Sequence, residues 1–137
     1  MAEHDQWRQM ASDDEAARSR PDSLDSLVEW PAESDVIGDP AGLAVLDVGV
    51  ETAASRWSCA RGASHVVGLD VTDGFLPIPE GAAVRFQHHD LSKLADFVSD
   101  EPSQFARVLF LSSVGYADDE VSTLVAARQL LRPGVPW

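Results

Sequence analysis

The chain reads as an α/β domain, a Rossmann-like open sheet of mostly parallel strands with helices on both faces, and three observations predict it. Short apolar runs without strict alternation, at 43–48, 65–71, 84–88 and 107–111, suit strands buried on both faces. Helical stretches separate them, as parallel strands require of their connections. Asp47, Asp70, Asp90 and Ser112 stand at or just past the ends of these runs. Ligands of open α/β sheets bind beyond that end of the strands.

Taken in order, residues 1–22 form a polar arm or helix and residues 23–137 the domain proper. The helical stretch 3–18 stops by the Arg20-Pro21 step, because the residue before proline disfavours helical geometry. A second helix begins near Ser23. Leu24, Leu27, Val28 and Ala32 recur at helical spacing, Asp22 or Ser23 can cap it, and Pro31 is expected near its end. Gly38-Asp39-Pro40 makes a turn into the first strand. A helix over 53–60, stopped by Gly62, leads to the second strand. The segment 72–81 carries Pro77 and Pro79 and is expected to be a loop. A short helix follows Ser92. The clearest helix spans 118–131, with acids at its positive end, Val121, Leu124, Val125 and Leu131 on one face, and Pro133-Gly134 as its stop.

A length of 137 residues, 45% of them hydrophobic, suits one core that buries roughly two-thirds of the unfolded surface. Apolar runs fall far short of the ~20 residues a membrane span needs, and the start lacks a basic-then-apolar leader. A cytoplasmic protein is therefore expected. Cys59 stands alone, so no internal disulfide or cysteine-based zinc site can form. Against 10 basic residues stand 23 acidic ones, a net charge of −13 that opposes attraction to nucleic acid or anionic lipid. The early acids Asp13, Asp14, Glu15, Asp22, Asp25 and Glu29 read as a solvated helical face. His88 and His89 fall on opposite faces of a strand and cannot chelate one metal together; no metal site is expected. Ser112-Ser113 lacks the G-x-S-x-G elbow, and no catalytic base or nucleophile can be assigned.

A lone aspartate after a strand ordinarily caps a helix or a turn. Here three stand in register, in Val45-Leu46-Asp47-Val48-Gly49, Gly68-Leu69-Asp70-Val71 and His88-His89-Asp90-Leu91, followed by Phe110-Leu111-Ser112-Ser113 and a helix ending in Leu131-Arg132-Pro133-Gly134. Over about residues 23–134 this order resembles the class I S-adenosylmethionine-dependent methyltransferases of the small-molecule type. The resemblance implies S-adenosylmethionine as cofactor and methyl transfer to oxygen, nitrogen or carbon of a small-molecule substrate. It implies Asp70 and Val71 at the ribose hydroxyls, Asp90 and Leu91 at the adenine, Asp47 and Gly49 against the methionine portion, and Ser112 beyond the fourth strand. A carboxylate accepts from paired hydroxyls or an exocyclic amine, and glycine admits close backbone approach. A nicotinamide-binding domain would instead need G-x-G-x-x-G directly after the first strand, where only Gly49 is present.

The sequence departs from the family in two places. Glu51 and Ala53 occupy positions where the family has glycine, and Glu51 brings a negative charge toward the cofactor carboxylate. Two charges about 4 Å apart interact by ~4 kcal/mol at an intermediate dielectric. That amounts to roughly three decades of affinity, so cofactor binding is expected to be impaired. Codons compatible with Val50 to Ala54, read from the third base of the Val50 codon, can encode Gly-Asn-Gly-Ser. Compensating frame changes over 50–59 and simple divergence are the two readings of the loss. Beyond Val135-Pro136-Trp137 the family continues through a fifth strand and a terminal antiparallel pair. Lacking these last strands, the sheet is expected to end on 107–111, an apolar edge able to pair with a second chain in self-association. Two readings follow: a methyltransferase domain of reduced activity, or an inactive remnant serving as an interaction module.

Overall fold

The computed structural model describes residues 3–50, 52–72, 83–100 and 103–136. Helix α1 (Glu3–Arg18) comes first. Its end is tied to the next helix through Arg18, whose Nη2 lies 2.9 Å from Asp25 Oδ1 and whose carbonyl accepts from Ser23 Oγ at 2.7 Å. Ser23 also accepts from the amide of Ser26 at 3.0 Å, which is the expected cap.

The second helix corrects the expectation for Pro31. A π-helical turn over Asp25–Glu29 runs directly into α2 (Trp30–Ile37), and Pro31 sits in the first turn of α2 rather than near the helix end. In the wider turn the Trp30 amide donates to Asp25 O, five residues back. The ladder has already left the four-residue register where proline would clash and withhold a donor, so the helix continues to Gly38. The apolar residues that recur at helical spacing here do not face the core: Leu24, Leu27 and Val28 are 66%, 65% and 58% exposed, while Ile37 is buried.

Four strands, β1 (Ala44–Val48), β2 (His65–Asp70), β3 (Val84–His88) and β4 (Arg107–Leu109), form one parallel sheet in the order β3-β2-β1-β4. Their registers run from Ala44↔His65 to Val48↔Leu69, from Val66↔Val84 to Asp70↔His88, and from Val45↔Arg107 to Asp47↔Leu109. The chain therefore builds outward from β1 through β3 and then returns to the other side of β1. The strand order reverses between β1 and β4. Beside β4 a single parallel bridge joins Phe105 to Leu131, where the Arg132 amide donates to Phe105 O at 2.8 Å.

Every residue of β1 is buried, and alternate side chains feed two cores. Ala44, Leu46 and Val48 pack with Leu94, Phe97 and Leu130 beneath α4 (Leu94–Asp100) and α5 (Glu120–Leu130). On the opposite face Val45, Val66 and Leu109 meet Ile37 of α2 and Ala54 of α3 (Thr52–Ala60), with Trp30 and Trp57 crossing edge to face 5.5 Å apart. Helices thus cover both faces, as the sequence predicts.

The face expected of the last helix needs a second correction. Val121 and Val125 are 72% and 55% exposed, whereas Thr123, Ala126, Ala127 and Leu130 are buried. The buried set also recurs at helical spacing, and its small residues admit the close approach that the valine stripe would block. Within the sheet, Gly68 has a similar use. A Cβ there would collide with the ring of Phe86, its registered neighbour on β3. The expected loop at 72–81 lies, from Asp73 onward, outside the described residues.

Candidate functional site

The four strand ends come together along one edge of the sheet because every ladder is parallel. At the end of β1, Asp47 is wholly buried and its Oδ2 accepts from Ser55 Oγ of α3 at 2.8 Å. The carboxylate thus braces the first turns of the helix that follows the loop. Gly49 has φ +72°, and its amide donates to Leu69 O of β2 at 2.8 Å. A Cβ at Gly49 would overlap that of Ser113, so glycine is required both by the backbone and by the neighbour.

From the far side of the reversal comes the turn after β4. Ser112 is exposed and holds φ +57°, a left-handed conformation that costs a non-glycine residue about 1–3 kcal/mol. Ser113 is buried and donates through Oγ to the carbonyl of Val48. Sequence reasoning selects Ser112 and assigns no role to Ser113, whose partner lies 65 residues away, or to Ser55, whose bond to Asp47 spans eight residues of loop and helix.

Asp70 ends β2 half-buried, and its Oδ1 accepts from the Thr72 amide at 2.8 Å. Burial pushes its carboxyl pKa up, against hydrogen bonds from Thr72 and from the backbones of Val50 and Val71 that pull it down. The Val50 contact aims this carboxylate at the loop following β1. Asp90 lies two residues beyond β3 and caps the short 3-10 turn Leu91–Lys93, accepting from the Ser92 amide at 2.9 Å. Because Asp70 is paired with His88, Asp90 lies just past it on the adjacent strand. Both carboxylates therefore take the local turn role that any aspartate after a strand takes, while standing where a ligand at this edge would meet them. Val71 is half-buried, and Leu91 packs against the core that contains Phe97. His88 is exposed; His89 rests its ring 5.8 Å from Phe97, with Nε2 2.9 Å from Lys93 O. Glu51 and the side chains of Ala53 and Trp7 lie outside the described residues.

The edge so assembled offers glycine backbone at the reversal and carboxylates at two strand ends. Carboxylates accept from hydroxyls and amines, and ligands of open α/β sheets bind beyond this end of the strands. No family model matches the chain. The ubiquinone biosynthesis O-methyltransferase of Ruegeria sp. (strain TM1040) is 29% identical over 123 residues, which is 84% of this chain and 48% of that protein. Its namesake in Ruegeria pomeroyi is 31% identical over 100 residues, 69% of this chain and 39% of the relative. Among solved structures, an S-adenosylmethionine dependent methyltransferase from Mesorhizobium loti matches with a TM-score of 0.65 and 27% identity, over 82% of this chain and 52% of that one. An arsenic (III) S-adenosylmethionine methyltransferase from Chlamydomonas reinhardtii shares the fold at a TM-score of 0.56 and 23% identity, over 70% and 37% of the two chains. This chain spans about half the length of the curated relatives it matches.

Proposed function

We propose, from the premise that this chain carries the class I S-adenosylmethionine-dependent methyltransferase fold, that it binds S-adenosylmethionine along the strand-end edge and serves methyl transfer to a small molecule. The observation that carries the reading is the parallel register that brings Gly49, Asp70 and Asp90 to one edge, at the reversal between β1 and β4. The residues present fit the group. Asp70, flanked by Val71, accepts from the ribose hydroxyls, and Asp90, flanked by Leu91, accepts from the adenine amine. Gly49 lets the methionine portion approach the backbone, Ser112 borders it from the β4 turn, and Asp47 holds the loop from beneath through Ser55.

When bound, the cofactor supplies an electrophilic methyl group on sulfur. The chain's own contribution is to hold that group in line with the acceptor, because orientation can account for much of such a rate. Kinship with proteins named for ubiquinone biosynthesis favours an acceptor whose attacking atom is oxygen. The domain proper begins near Ser23, and helix α1 stands before it as the N-terminal polar helix. No described helix is long and apolar enough to cross a membrane, and the acidic charge opposes attraction to nucleic acid.

Calorimetry with S-adenosylhomocysteine tests the reading. Weak binding is expected for the unaltered chain, with a loss of tenfold or more in Asp70→Asn and in Asp90→Ala. Equal affinity in all three would remove the basis for placing the nucleoside at this edge.

A further inference from the structure

We propose that Ser113 is a positioning residue for the cofactor, latching the turn after β4 onto the end of β1 and holding the Val48-Gly49 backbone in its receptive shape. The proposal rests on the methyltransferase reading above and adds to it a residue to which the strand-end pattern assigns no role.

The ladder between β1 and β4 ends at Asp47↔Leu109. Past that pair the two strands part, yet Val48 O still finds a donor, the Oγ of Ser113, across a separation of 65 residues. Ser113 reaches it because the chain turns sharply: Ser112 adopts φ +57°, and the Tyr116 amide closes onto Ser113 O at 3.0 Å. Only 6% of Ser113 is exposed, so its hydroxyl has little access to competing water. The same side chain covers the open face of Gly49, where its Cβ stands in the place that an alanine methyl would take. One serine thus fixes both the carbonyl before the loop and the first glycine within it. With its proton committed to a carbonyl rather than to a base, Ser113 is not an activated nucleophile. The strained φ at Ser112 fits the same account, since it is what aims Ser113 inward.

Threonine and valine at position 113 have the same shape and differ in the hydroxyl donor alone, so any crowding against Gly49 is common to both. Ser113→Thr is expected to bind S-adenosylhomocysteine about tenfold more tightly than Ser113→Val, and Ser113→Ala about tenfold more weakly than the unaltered chain. Without ligand, amide exchange at Gly49 and Val50 should quicken in the alanine and valine forms, while Val66 to Leu69 keep their protection. Equal affinity and equal exchange in the threonine and valine forms would overturn the latch. If exchange separates them but the unaltered chain binds no S-adenosylhomocysteine, the latch is a structural contact only, and the positioning role fails together with the methyltransferase reading.

Discussion

Asp70 is held where its charge is least welcome. Burial raises its folded pKa above the ordinary carboxylate value of 3.8, in spite of the backbone amides that face it. The folded state therefore takes up a proton before the unfolded state does. The stability this contributes is complete below pH 3.8 and is lost as pH rises through the raised pKa. Asp70→Asn keeps a carbonyl oxygen for the Thr72 amide and removes the desolvated charge. Its melting temperature at pH 7 should exceed that of the unaltered chain by a few degrees, the gap closing below pH 3.8, while cofactor affinity falls. A pH series of thermal melts checks the first part. That Asp70 and Asp90 stand at strand ends was legible because a parallel sheet needs apolar runs and the polar residue after each run is conspicuous. Their local use as turn acceptors was legible only as the ordinary behaviour of aspartate. The role of Ser113 is not, for it acts through a partner 65 residues away that the fold alone brings near. Relief of charge and of backbone restriction act together at the loop: Glu51→Gly with Ala53→Gly should tighten S-adenosylhomocysteine binding by about a hundredfold, somewhat less than like-charge repulsion at contact distance would give. Calorimetry on both forms decides it.

At the scale of elements, the sequence located every described strand to within two residues at either end, and it mistook the inward face of two helices. The reason is the same in both. Apolarity alone does not mark the core: α5 buries Thr123, Ala126 and Ala127, whose smallness permits close packing, and turns Val121 and Val125 outward. Val121→Lys should therefore change stability by no more than about 0.5 kcal/mol. Ala126→Leu, in spite of its better hydropathy, should cost about 1–3 kcal/mol by overpacking. Urea denaturation of the two variants would show the opposite order if the valine stripe were the true core face. Pro31 teaches a related lesson: proline breaks a regular ladder, and the π-helical turn before it had already changed the register.

Across the whole molecule, a charge of −13 and an incompletely paired strand pull in opposite directions. Among the described residues β4 pairs with β1 on one side, and on the other the Phe105↔Leu131 bridge stops short of Arg107. Repulsion between copies is long-ranged and screened by salt, whereas strand pairing acts at contact. Sedimentation at rising protein concentration should thus show little association at low ionic strength and a growing mass near 1 M salt. A constant mass under both conditions would mean that the edge is already protected.

The placement of β4 also sets an order in time. The β1–β2 ladder joins residues about twenty positions apart, whereas the β1–β4 ladder joins residues about sixty apart, so β4 closes the larger loop and docks later. Leu109→Ala should accordingly speed unfolding severalfold and leave the refolding rate nearly unchanged in a chevron plot. In each partial opening, the Asp70 and Asp90 side of the edge, with Gly49 held to Leu69 O of β2, would then outlive the Ser112 side. A bound nucleoside would be the last part of the ligand to be let go.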